Sequence, residues 1–117
     1  MTFGFFLAAG PGSAGARRAL ALAREALARG HDVRIFLMEE GVRLVPAPVA
    51  EAQAADGPRE FPGRELEALF LAGAEVSLCA QSARARGVAP VSWVYFGDQS
   101  ENAHGLVECD RWMAFAG

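Results

Sequence analysis

The chain has no lysine: all 11 of its basic residues are arginine, against 14 acidic ones, giving a net charge of −3. A nucleic-acid binder would carry a basic footprint, and this slightly acidic chain does not. A Walker A phosphate loop needs its lysine, so that nucleotide site is excluded as well. Two cysteines, Cys79 and Cys109, are too few and too far apart in sequence for a disulfide framework or a zinc site. No apolar run approaches the ~20 residues of a membrane span. The apolar start Met1-Thr2-Phe3-Gly4-Phe5-Phe6-Leu7 has no positive region before it, so it reads as a buried strand rather than a leader. These absences imply a cytoplasmic protein with both thiols reduced.

What is present is abundant apolar material. Hydrophobic residues make up 52% of 117 residues, enough to bury a core without metal or disulfide support and consistent with one domain over residues 1–117. Strand-like and helix-like stretches alternate along it. Phe3 to Ala9 is a short apolar run closed by Gly10-Pro11-Gly12, and Ser13 is placed to cap a helix through Arg29. There Leu20, Ala23 and Leu27 share a face opposite Arg17, Arg18, Arg24, Glu25 and Arg29, and Gly30 stands where a left-handed stop belongs. His31 to Met38 is a second strand, followed by a short helical turn from Glu39 to Val45.

Residues 46–63 hold four prolines and two glycines, which forbids a regular ladder and reads as a loop able to cover or release a nearby site. A helix is expected from Arg64 to Ala72, with Leu66, Leu69 and Phe70 inward, then a strand from Ala74 to Leu78 ending at Cys79. A short helix, Ala80 to Arg86, stops at Gly87. Val91 to Phe96 reads as a fourth strand, Ser100 to Glu108 as a helix and Arg111 to Ala116 as a closing strand. Such alternation predicts an α/β fold: a three-layer α/β/α arrangement around a mainly parallel five-stranded sheet. In these folds reactive groups collect at the carboxyl ends of the strands.

That rule singles out Cys79. At a strand-to-helix junction, the free N–H groups of Ala80, Gln81 and Ser82 favour the thiolate, the nucleophilic form. A small buried hydrophobe is the other role open to it, and position alone does not choose. Cys109, at the end of a helix, faces the opposite dipole and reads as packing, although a Cys79–Cys109 redox pair stays open.

Gly10-Pro11-Gly12-Ser13-Ala14-Gly15 opens a helix but is not a full G-x-G-x-x-G, so turn geometry explains it best. His31 and His104 have no partner at metal spacing. Asp98, Glu101, Glu39 and Glu40 follow strands, which offers them a place on the same rim as Cys79, although solvated or capping carboxylates are the commoner role. No catalytic triad, carboxylate pair, metal set or cofactor motif emerges. Trp93, Tyr95, Phe96 and Trp112 suit a core or a subunit contact.

Three stretches give the chain a family likeness: Phe3 to Val42, with Gly10-Pro11, Gly30-His31 and Glu40-Gly41-Val42; Gly73 to Val88, reading GAEVSLCAQSARARGV; and Cys109-Asp110-Arg111 followed by Phe115. In their order and spacing the chain resembles the DsrE/DsrF/TusD-type sulfur-relay proteins. The resemblance implies a three-layer α/β/α domain assembling into dimers, trimers or hexamers. It also implies that Cys79 receives a persulfide sulfur from a donor protein and passes it to an acceptor protein. Two further readings stand beside it: a binding or assembly module using Gly10 to Gly15, and a thiol redox protein using both cysteines. The limited wall that 117 residues can raise favours a carrier working at protein–protein contacts over a self-contained enzyme.

Overall fold

β-Branched and aromatic side chains alternating across two faces put Thr2–Leu7 into strand β1 and Asp32–Leu37 into β2, joined by helix α1 (Ala14–Ala28). The computed structural model describes residues 1–46 and 63–116. In α1 the Ser13 Oγ accepts the Ala16 N–H at 3.1 Å and donates to the Gly10 carbonyl at 2.7 Å, which caps the first turn and ties it to the preceding loop. Ala16, Ala19, Leu20 and Ala23 form its buried stripe, and Gly30, at φ 85, ends it.

A 3₁₀ helix spans Glu39–Leu44. The loop expected at 46–63 lies almost wholly outside the described residues, which resume with α2 (Gly63–Leu71). Strand β3 (Glu75–Cys79) runs directly into the short helix α3 (Ala80–Ala85), followed by β4 (Tyr95–Gly97), α4 (Gln99–Val107) and β5 (Arg111–Phe115).

The sheet has five strands in the order β4-β3-β2-β1-β5, and every pairing is parallel. The chain steps outward from β1 to β4, then returns through α4 to the far edge beside β1. A return on the opposite face keeps each crossover right-handed. One sheet face presents Phe5, Leu7, Val33, Ile35, Leu37, Val76 and Leu78, all at most 4% exposed, to Leu20 of α1 and Leu66 of α2. Fully burying each such side chain is worth about 1.5–3 kcal/mol, so this layer carries the fold. The other face presents Gly4, Phe6, Arg34 and Phe36 and, among the described residues, is covered by α4, whose Gly105 lies against the Phe36 ring. Beyond α4 it is an aromatic surface: Phe6 stacks on Phe36 at 4.9 Å and meets Trp112 edge-on at 6.0 Å, with Trp112 57% exposed.

Two local expectations are corrected. The fourth strand does not begin at Val91: residues 92–94 form a turn, with the Val94 N–H donating to the Val91 carbonyl, and pairing starts at Tyr95. The apolar alternation there reflects Trp93 and Val94 packing on the core edge, not a ladder. Phe70 is not inward; it sits at the surface against Trp93, with ring centroids 5.3 Å apart.

Candidate functional site

Cys79 is the last residue of β3 and the residue from which α3 springs, with extended backbone at φ −77 and ψ 112. The junction therefore places a thiol at the carboxyl edge of the sheet. Only 6% of the residue is exposed. Burial is the largest influence on its thiol and pushes it up. The Ser82 N–H and hydroxyl and the Gln81 N–H together outweigh burial, Glu39 opposes them, and the net direction is down from the ordinary thiol value.

The sulfur borders a cavity of about 300 Å³ whose walls include Phe6, Phe36, Glu39, Ser82, Gln99 and Asn102. Six elements meet there: β1, β2, the 3₁₀ helix, β3, α3 and α4. Gly41 lets the 3₁₀ helix lie directly on the end of β1, which sets Glu39 beside α3. Glu39 has φ 49, and its N–H donates to Ser82 Oγ at 3.2 Å. Asn102 of α4 donates from Nδ2 to the Leu78 carbonyl at 3.1 Å, tying the helix to the end of β3 just before the cysteine.

Charged side chains near the site are paired. Arg86 reaches Glu39 Oε2 at 3.1 Å and Glu40 Oε1 at 2.9 Å, and Arg43 holds the other Glu40 oxygen at 2.8 Å. Hydrogen bonds from Arg86 and then Arg43 hold the Glu40 carboxyl below its usual range. Asp98 and Glu101 cap α4: Asp98 Oδ1 accepts the Glu101 N–H at 2.7 Å, and Glu101 also accepts from the Tyr95 hydroxyl. Neither lines the Cys79 cavity.

Cys109 lies elsewhere, its sulfur packed over Gly4 and 3.7 Å from the Gly105 carbonyl. Gly4 pairs with Arg34 and Arg34 with Glu75, so Cys79 is four residues further along and two strands across. That separation is about 13 Å along the strands and about 10 Å across them, far beyond the ~7 Å Cα separation a disulfide tolerates. Both cysteines are free. Burial pushes the Cys109 thiol up, against Arg34, and Asp110, Glu108 and Glu75 add to the rise.

The two thiols thus make a contrast that can be measured. Cys109 is the more accessible, but Cys79 holds the larger thiolate fraction, and alkylation follows the thiolate. At neutral pH a small neutral reagent such as iodoacetamide should label Cys79 several-fold faster than Cys109, with the Cys79 rate levelling off at lower pH. Peptide mapping against time reads both rates. Faster labelling of Cys109 would show that access, not ionisation, governs.

Sequence reasoning reached two walls of this cavity, Ser82 and Glu39, and missed the rest. Ser82, three residues after Cys79, was within reach of helix-start logic. Phe6, Phe36, Gln99 and Asn102 come from three distant segments and carry no local signal. The Gly10–Gly15 loop is a turn and packing feature: Gly12 takes φ 84, and Gly15 lies so close to the Ala116 carbonyl that a methyl there would come within 3.2 Å. Among the described residues no group of three or more His, Cys, Asp or Glu could hold a metal, and no helix is long and apolar enough to cross a membrane.

Fold and site together define a parallel, doubly wound α/β protein with a single strand-end cysteine opening on a small cavity. The chain belongs to the DsrE/DsrF-like family, whose pattern matches residues 1–110. The crystal structure of the ychN protein from E. coli is similar over 98% of this chain and 100% of that one, with a TM-score of 0.76 at 24% identity. That likeness supports the α/β fold read from the sequence. No curated protein matches.

Proposed function

We propose that this protein is a persulfide carrier in a sulfur relay, with Cys79 as the residue that bears the sulfur. The observation that carries the reading is the placement of Cys79 at the carboxyl edge of the sheet, with its thiol drawn toward the thiolate and facing a cavity. Family membership is consistent with sulfur relay. In the transfer, the Cys79 thiolate attacks the outer sulfur of a donor persulfide. A new S–S bond forms, the donor S–S bond breaks, and the donor leaves as its thiolate while Cys79 becomes Cys79–S–SH. There is no net oxidation, and the reverse step on an acceptor thiolate empties the site.

A cavity of about 300 Å³ lies at the lower end of the range for ligand sites, which favours a persulfide presented by donor and acceptor proteins over a large free substrate. The open aromatic face around Phe6 and Trp112 supports homo-oligomer formation, by burial against further copies. Reduced thiols suit a cytoplasmic setting. The binding-module alternative has less support, because the Ser13 side chain already engages the Ala16 N–H at the start of α1.

The test is to incubate the protein with a low-molecular-weight persulfide, block with iodoacetamide and map the peptides by mass spectrometry. One extra sulfur is expected on the peptide carrying Cys79. Sulfur found on Cys109 instead, or on neither, overturns the reading.

A further inference from the structure

Among the residues lining the cavity beside Cys79, Glu39 alone is charged, and its charge is negative. Among the described residues no arginine reaches the walls. Arg86 stands behind Glu39, with its guanidinium divided between Glu39 and Glu40, and Arg43 is engaged on the far side of Glu40. Of the lining amides, Asn102 Nδ2 is engaged by the Leu78 carbonyl.

Glu39 is held in place rather than free to swing away. It is the only non-glycine described residue with positive φ, and both of its ends are tied, the N–H to Ser82 Oγ at 3.2 Å and the carboxylate to Arg86 at 3.1 Å. A backbone conformation that side-chain-bearing residues avoid is thus fixed at the one position that sets the charge of the cavity. Of the remaining walls, Ser82, Gln99 and Asn102 are polar but uncharged, and Phe6, Phe36, Leu37, Met38 and Ala103 are apolar.

We propose that Glu39 makes this site selective for sulfane sulfur carried on an uncharged or positively charged arm, and against anionic donors such as thiosulfate. The partner that fits is a cysteine persulfide on a protein segment with basic or apolar neighbours. The inference rests on the reading of Cys79 as the working thiol.

Two methanethiosulfonate reagents of opposite charge test it, one bearing 2-aminoethyl and one bearing 2-sulfonatoethyl. In each case the thiolate attacks the reagent's divalent sulfur, a mixed disulfide forms, the S–SO₂ bond breaks, and methanesulfinate leaves with the electron pair. Rates at Cys79 are taken in Cys109→Ser protein and divided by those for N-acetylcysteine amide. The normalised cation-to-anion ratio should be about threefold or more at low salt and fall as salt is raised. Glu39→Gln should bring it to parity or below, since Arg86 then loses a counter-charge, and Arg86→Gln should widen it.

A wild-type ratio at or below parity overturns the proposal without recourse to any variant, and so does a Glu39→Gln ratio equal to wild type. The measurement forms a mixed disulfide, not a persulfide. A protein that discriminates but never loads sulfur loses only the carrier reading, and one that loads sulfur without discriminating loses only this one.

Discussion

Serine in place of Cys79 is expected to reduce persulfide loading to background, whereas serine in place of Cys109 leaves it intact. The reasoning is chemical first. The nucleophile in the transfer is a thiolate, and a serine hydroxyl stays protonated in a site whose only help is a few N–H and O–H donors. The substitution changes one atom in a buried side chain and leaves a hydroxyl beside Ser82, a group able to partner it, so the fold should lose no more than about 1 kcal/mol. Loading and melting temperature measured on the same samples separate the two effects. A Cys79→Ser protein that melts near wild type and still gains sulfur would remove Cys79 from the mechanism. Cys109→Ser is the matched control, since that sulfur lies over Gly4 at the opposite end of the strands.

Much of the architecture was legible because it depends on local pattern. Phe3 to Ala9 and His31 to Met38 read as strands because short apolar runs closed by turn signals suit a buried parallel sheet, and Gly30, Gly73 and Gly87 marked helix ends, where each takes a positive φ. The family likeness, too, lay in short stretches around these features. The start of β4 was not legible. Trp93 and Val94 have the composition of a strand, but their burial comes from packing beside Phe70 and the core edge rather than from pairing. Cys79 was found by its junction, a property of neighbours in sequence. Its cavity was not, because Phe6, Phe36 and Asn102 converge only once β1, β2 and α4 are stacked. The left-handed turn at Glu39 left no trace either, because glutamate gives no sign of that conformation.

Gly41→Ala is accordingly expected to be the most damaging small substitution in the described structure. A Cβ built at this position falls 2.0 Å from the Leu7 carbonyl oxygen and 2.8 Å from its carbon. Both are backbone atoms of a central strand, so no side chain can rotate away to relieve the overlap. The same Leu7 oxygen accepts the Met38 N–H at 2.9 Å, and the Gly41 N–H donates to the Met38 carbonyl at 2.8 Å, so moving the turn breaks the bonds that seat it. Overpacking inside a core costs about 1–3 kcal/mol, and a clash against backbone belongs at or above the top of that range. For a domain whose whole stability is of order 5–15 kcal/mol, a loss of about 3 kcal/mol should lower the melting temperature by roughly 10 °C. Gly87→Ala is the control for backbone strain alone: it has φ 68 but nothing within 4 Å of the new carbon, and should cost about 1–2 kcal/mol. The damage at position 41 should also reach the sulfur. The shifted turn carries Glu39 with it, so its N–H is withdrawn from Ser82 and the cavity wall beside Cys79 is displaced. Iodoacetamide labelling of Cys79 in the folded variant should then slow or speed away from the wild-type rate, while Gly87→Ala leaves it unchanged. Equal melting temperatures for Gly41→Ala and wild type would mean that the 3₁₀ helix does not rest on β1 as closely as described, and the placement of Glu39 would fall with it.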